Sequence, residues 1–190
     1  MGKLFTWGNK KLPKTTAIFN MTPATTCPSN QLGLCQLKEP NKKCYAMVAE
    51  KMYKNALSHR LRQLDFWSTC TAQGFVNQLI GEKKRKHLLK LRFNEAGDFV
   101  SQNSVVKAEE VARILAEEHN VITYCYTARK DLDFTIRKHL IINGSNFMVD
   151  NNFKVIYKGQ PAGNIVCPQD CRVCAMCSKR KKLTISVRIH

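Results

Sequence analysis

The chain has 190 residues, nine of them cysteine, and carries 31 Lys and Arg against 14 Asp and Glu, a formal net charge of +17. The odd cysteine count excludes complete internal pairing, and no signal-peptide h-region or apolar run of about 18 residues marks a secreted or membrane-spanning chain. A cytoplasmic protein is therefore expected, whose thiols ligate metal rather than form disulfides. So large a cationic surplus attracts polyanions, which makes nucleic acid the first expected partner and an acidic protein the second. The length suits a single α/β domain over residues 1–190.

In chain order, a short strand "TTAIFNM" leads into the long loop "TPATTCPSNQLGLCQLKEPNKKC", which carries Cys27, Cys35 and Cys44. Loops of that length are usually functional or disordered, and three cysteines favour function. A helix is predicted from Cys44 to about Trp67, with Tyr45, Val48, Met52, Ala56 and Leu64 near helical spacing. A second covers Thr71 to Ile80. The basic run "KKRKH" then precedes the strand "LLKLRF", which runs into "NEAGDF". "SVVKAEEVARILAEEHN" is an amphipathic helix with Val106, Val111, Ile114 and Leu115 on its apolar side. "VITYCYTA" reads as a buried strand, "DLDFTIRKHLI" as a shorter helix, and "NFMVD" and "FKVIY" as weaker strands.

Alternating strands and helices imply βα units and a largely parallel sheet. A closed eight-stranded barrel typically needs about 250 residues. The expected fold is thus an incomplete (β/α) barrel or a small, mostly parallel sheet, with a cysteine-rich N-terminal loop and C-terminal segment. Ligands gather at the C-terminal ends of such strands, where the loop after "AIFN", the "NEAGDF" turn and the "TARKD" turn belong.

"CPQDCRVCAMC", residues 167–177, holds Cys167, Cys171, Cys174 and Cys177 in the spacing C-x3-C-x2-C-x2-C. This is a bacterial ferredoxin spacing reversed, and two-residue gaps let successive thiolates curl around one cluster. Zinc is the alternative, although zinc hooks are usually separated by a longer spacer. The first-loop trio has wider gaps. It reads as a second cluster, as three loop thiols, or as ligands shared with the terminal group. Seven thiolates fall one short of two fully ligated four-iron clusters, which leaves an eighth ligand from Cys70 or His59, or an open iron. Cys125, inside a strand, reads as core.

Asp98 with Glu95 reads as a carboxylate pair or as turn-forming residues. Arg129 and Lys130 read as a solvated turn or as anion ligands. Lys83, Lys84, Arg85 and Lys86, and Lys179, Arg180, Lys181 and Lys182, are the strongest phosphate-contact candidates. Neither a P-loop nor a nucleophile elbow is present.

Together, "KLPKTTAIFNMTPATTCPSN", "CYA", "LRFNEAGDF", "ITYCYTAR" and the closing cysteines resemble the phage Gene product 88 family, from about Lys11 to Cys177. That family is in turn similar to the radical-SAM iron–sulfur barrels. The resemblance implies a four-iron cluster on Cys27, Cys35 and Cys44 whose open iron binds S-adenosylmethionine. It also implies that Gly97 and Asp98 contact the methionine moiety, and that the terminal cysteines carry an auxiliary cluster. The usual C-x3-C-x2-C is absent from the first loop and occurs instead at Cys167, Cys171 and Cys174. The expected function is an iron–sulfur protein whose basic surface binds nucleic acid or an acidic protein. The alternatives are a radical-SAM-like enzyme supported by Asp98, and a zinc-stabilised nucleic-acid binder or nuclease.

Overall fold

A computed structural model describes residues 3–35, 44–83, 87–157, 159–162 and 165–188. Its centre is an eight-stranded sheet in the order β1-β2-β3-β4-β5-β6-β8-β7. The strands are β1 (Thr6–Trp7), β2 (Thr16–Phe19), β3 (Lys90–Phe93), β4 (Ile122–Thr127), β5 (Ile141–Ser145), β6 (Asn151–Ile156), β7 (Ile165–Val166) and β8 (Thr184–Arg188). Only β1 runs antiparallel to its neighbour. This is the expected mixed α/β architecture with an open, mostly parallel sheet.

The helices are α1 (Pro28–Gln31), α2 (Tyr45–Met52), α3 (Lys54–Thr69), α4 (Ala72–Lys83) and α5 (Gln102–His119). Period-2 alternation in the strands separates two faces. Ala17, Phe19, Leu91, Phe93, Cys125 and Ile142 point to one side, where they pack against Trp67, Phe75, Leu79, Val105, Val111 and Leu115 of α3, α4 and α5. Edge-on aromatic contacts tie this core together, with Phe19 and Phe75 at 4.9 Å and Trp67 and Phe75 at 5.4 Å. Cys125 is fully buried here, as a small core residue.

The other face carries Ile18, Arg92, Tyr124, Tyr126, Asn143 and Asn151, aligned strand to strand by the parallel register. The C-terminal segment crosses it. Asn143 donates to the Cys177 carbonyl at 2.9 Å, Asn151 to the Lys179 carbonyl at 2.8 Å, and Lys90 Nζ to Ser178 Oγ at 2.9 Å.

Several predicted elements are corrected. The helix expected from Cys44 to Trp67 breaks at Tyr53, whose backbone is extended (φ −111°, ψ 109°), into α2 and α3. Tyr45, Val48 and Met52 are exposed, so α2 turns its apolar residues outward. Val106 is half exposed too, and α5 buries Val105 and Ala108 instead. "DLDFTIRKHLI" is not helical, because Asp133 accepts from the Thr135 N–H and hydroxyl and closes a local turn. "NFMVD" is the connection between β5 and β6, where the Asp150 carboxylate accepts from Ile142 N at 2.9 Å. Among the described residues, no helix is long and apolar enough to cross a membrane.

Candidate metal centre

At the C-terminal end of the parallel strands, the loop after β2 folds against the turns after β3 and β4. Asn20 Oδ1 accepts from Ala96 N at 2.7 Å, and Thr22 Oγ1 from Asp98 N at 3.0 Å. Gly97 sits at φ 72°, where a Cβ would overlap the Thr22 carbonyl and hydroxyl, so the close approach of the two turns requires glycine. Asp98 is buried. Its carboxyl accepts from the Ser29 and Thr127 hydroxyls and from Phe99 N and Ala128 N, both at 2.8 Å. Burial lifts its pKa above the ordinary carboxylate value, and those four donors only partly oppose the rise.

This bracket positions the first cysteine loop. Cys27 is the N-cap of α1, and Cys35 N donates to Ser29 O at 3.1 Å. Cys44 is the N-cap of α2 and packs against the small cluster of Ala24, Ala46 and Ala96. Glu50 of α2 accepts from Ala24 N at 2.7 Å and pairs with Arg60 at 2.6 Å, which locks the loop onto the helices. Burial pushes the Cys27 thiol up to about 12, with the Asp98 carboxyl and the Cys35 thiol adding to the rise. Beside them opens a cavity of about 390 Å³ lined by Thr22, Thr26, Leu32, Leu64, Val100 and Arg129. The Arg129 guanidinium is committed to the carbonyls of Phe99 (2.6 Å) and Val100 (3.2 Å) and to Asp131 (2.8 Å), which makes it a clamp on the loop.

The terminal group lies on the helix-free face. Cys167 N donates to Ser186 O at 2.8 Å and Cys171 N to Lys11 O at 3.0 Å. Cys177 lies close to Tyr126 of β4. Burial raises the Cys177 thiol to about 11, and the thiols of Cys167, Cys171 and Cys174 add to the rise. Burial also raises Cys171, against the opposing charge of Arg92. None of the nine cysteines is in a disulfide. Among the described residues, no three Cys, His, Asp or Glu side chains already converge on a point that could hold a metal ion.

Sequence reasoning missed Arg92, although alternation in "LLKLRF" already separates it from Leu91 and Phe93. Its guanidinium lies 4.8 Å from the centre of the Tyr126 ring, and among the described residues its Nε has no hydrogen-bond partner. Burial works against this charge, but Tyr126, Tyr124 and Glu95 more than offset it and the pKa rises. Among the described residues, Asp98 and Glu95 share no hydrogen-bond partner. Glu95 accepts from Asn9 at 2.6 Å, and its carbonyl accepts from the Tyr45 hydroxyl.

The two basic runs fare differently. The side chain of Lys83 and all of Lys84, Arg85 and Lys86 lie outside the described residues. Arg180 donates to the carbonyls of Lys138 (2.7 Å) and Leu140 (3.0 Å), and Lys182 Nζ to Val149 O at 2.6 Å. Lys179 and Lys181 are exposed and, with Lys138, His139 and Arg180, line a groove of about 540 Å³ where β4 and β5 begin.

These features define an open α/β sheet with helices on one face and a cysteine-bearing segment on the other. The Gene product 88 family model matches residues 3–184, and the chain belongs to that family. No curated protein and no solved structure matches the chain.

Proposed function

We propose that this Gene product 88 protein holds a metal–thiolate centre, foremost an iron–sulfur cluster, on Cys167, Cys171, Cys174 and Cys177. The observation that carries this reading is a set of four cysteines within eleven residues, none in a disulfide, on the segment that crosses the helix-free face. It is pinned to the sheet at one end by Cys167 N on Ser186 and at the other by Asn143 on Cys177. The donor set fits either a four-iron cluster or zinc, and the reversed ferredoxin spacing favours iron. A cluster there would supply one-electron chemistry or a structural clamp. The residues would contribute the thiolates and a backbone frame that holds the segment in place. Because a metal is held by thiolates rather than thiols, loading the site releases protons. The basic surface, with Lys138, Lys179 and Lys181 exposed, suits nucleic acid first and an acidic protein second.

A second reading is a radical-SAM-like enzyme with an open iron on Cys27, Cys35 and Cys44. It is favoured by one observation, the cavity of about 390 Å³ beside Cys27 at the C-terminal end of the sheet. In that reading Gly97 and Asp98 hold the loop in position, since the Asp98 carboxyl is occupied within the protein.

Metal and sulfide analysis of protein purified without oxygen tests both. The expected result is about four irons and four sulfides with a brown chromophore, lost in Cys171→Ser and Cys177→Ser. Twice that content, halved by Cys27→Ser, supports a second cluster and calls for S-adenosylmethionine binding. A colourless zinc protein selects zinc, and protein that takes up neither metal overturns the proposal.

A further inference from the structure

We infer that the groove where β4 and β5 begin is a binding site for single-stranded nucleic acid, with Lys138, Lys179 and Lys181 on its phosphates and an apolar floor under its bases. This rests on the reading that the basic surface takes nucleic acid, and it names the place and the form of that ligand. The groove measures about 540 Å³, inside the ~300–1,000 Å³ typical of sites that enclose a ligand. Ile122, exposed at the start of β4, and Ile141 supply the apolar floor. Asn120 lines the same groove, and its amide can both donate to and accept from a base edge. Unpaired bases can reach such a floor, whereas a duplex keeps its bases stacked inside and offers mainly its phosphates.

The basic run that forms one wall is pinned to the sheet. Lys179 is extended (φ −138°, ψ 148°). The buried Asn151 side chain of β6 grips the backbone on either side of Arg180, donating to the Lys179 carbonyl at 2.8 Å and accepting from Lys181 N at 3.1 Å. Arg180 donates to the carbonyls of Lys138 and Leu140, which ties this wall to the opposite one. Alternate side chains of an extended chain share a side, about 6–7 Å apart. Lys179 and Lys181, both exposed, are therefore held as a pair while Arg180 between them anchors the strip. A strand with one phosphate per residue is matched by cations at a fixed spacing, and cations already held in place lose less freedom on binding. Among the described residues, Lys138, Lys179 and Lys181 form no ion pair. Carboxylates beside the groove are engaged elsewhere: Glu109 and Glu117 with His139, at 3.0 and 3.7 Å, and Asp150 with Arg137 at 3.1 Å.

The test measures fluorescence anisotropy of a labelled oligothymidylate, a labelled DNA hairpin duplex and labelled polyglutamate across a salt series. Wild type is compared with the variant carrying Lys138→Gln, Lys179→Gln and Lys181→Gln. The control carries Lys51→Gln, Lys54→Gln and Arg62→Gln, which remove as many exposed charges from α2 and α3. Each protein is first shown folded by circular dichroism. Wild type should bind oligothymidylate more tightly than the hairpin. The groove variant should bind it about tenfold or more weakly, with a shallower salt dependence, while the control stays close to wild type. A groove variant that matches wild type, or a control that loses as much, overturns the groove and leaves nucleic-acid binding to another part of the basic surface. A hairpin bound as tightly as oligothymidylate overturns the single-strand assignment. Wild type that binds neither nucleic acid overturns both readings, and binding of polyglutamate alone assigns the surface to an acidic protein.

Discussion

Replacing Asp98 should unfold the C-terminal mouth of the sheet rather than silence a catalytic group. The carboxyl accepts four donors, of which the Ser29 and Thr127 hydroxyls can rotate to other acceptors. The N–H groups of Phe99 and Ala128, both at 2.8 Å, cannot. Asp98→Ala leaves these two backbone donors in a buried site, and each unsatisfied donor costs about 1–3 kcal/mol. The sum, about 2–6 kcal/mol, is a large share of the ~5–15 kcal/mol that holds a typical domain together. At roughly 2–4 °C per kcal/mol for a chain of this size, the melting temperature should fall by about 8–16 °C for a mid-range loss of ~4 kcal/mol. Asp98→Asn keeps one acceptor but turns an N–H toward donors, and should lose about half as much. Glu95→Ala, which removes an exposed hydrogen bond to Asn9, serves as the control and should change stability by no more than ~0.5 kcal/mol. Thermal and urea melts followed by circular dichroism measure all three. Asp98→Ala melting within about 2 °C of wild type would refute the bracket and make Asp98 a catalytic candidate again.

Gly97→Ala should lose more than about 3 kcal/mol, since φ 72° alone costs ~1–2 kcal/mol for a side chain and the new Cβ overlaps Thr22; a urea midpoint close to wild type contradicts the close approach. Because burial raises the Asp98 pKa above its unfolded value, the folded state binds more protons just above the ordinary carboxylate range. Wild type should therefore lose stability relative to Asp98→Asn as pH rises through that window, and urea midpoints that run parallel between pH 4 and 7 would contradict this. Reversing Lys179 and Lys181 to Glu should weaken nucleic-acid binding and lower the salt slope by about 0.9 for each phosphate no longer neutralised. Unchanged affinity and slope in the charge reversal assigns the basic tail to another partner. Arg180→Ala and Lys182→Ala should instead reduce stability by about 1 kcal/mol for each hydrogen-bonding anchor removed, because these side chains hold backbone carbonyls; urea melts of the two variants that overlay wild type would contradict the anchoring role.

The long periodic segments were legible. "VITYCYTA" became β4 over Ile122–Thr127, and "SVVKAEEVARILAEEHN" lies within α5, which ends at the left-handed Asn120. Segments governed by single side chains were not. The Asx turn at Asp133 overrode the helix read over "DLDFTIRKHLI", and β5 contains Asn143 and Gly144, which strand propensity disfavours. Asn143 is tolerated because its amide joins the Cys125 carbonyl to the Cys177 carbonyl, a role that spans 34 residues of sequence on its far side. Arg92 was visible as an alternation in "LLKLRF", but nothing local said what it would face.

The amino-acid sequence alone determined the chemistry available: a four-thiol terminal segment, a three-thiol loop after the first parallel strand, a cationic surplus and an α/β alternation. These follow from residue type, spacing and periodicity, which are local properties. Tertiary structure alone decided that Asp98 and Gly97 hold loops together and that Arg180 and Lys182 anchor the chain. It also decided that Arg92, Tyr126, Asn143 and Cys177 share the face opposite the helices. That juxtaposition depends on the register between parallel strands, set by pairings between residues far apart in the chain and by which face of each strand the hydrophobic core has already claimed.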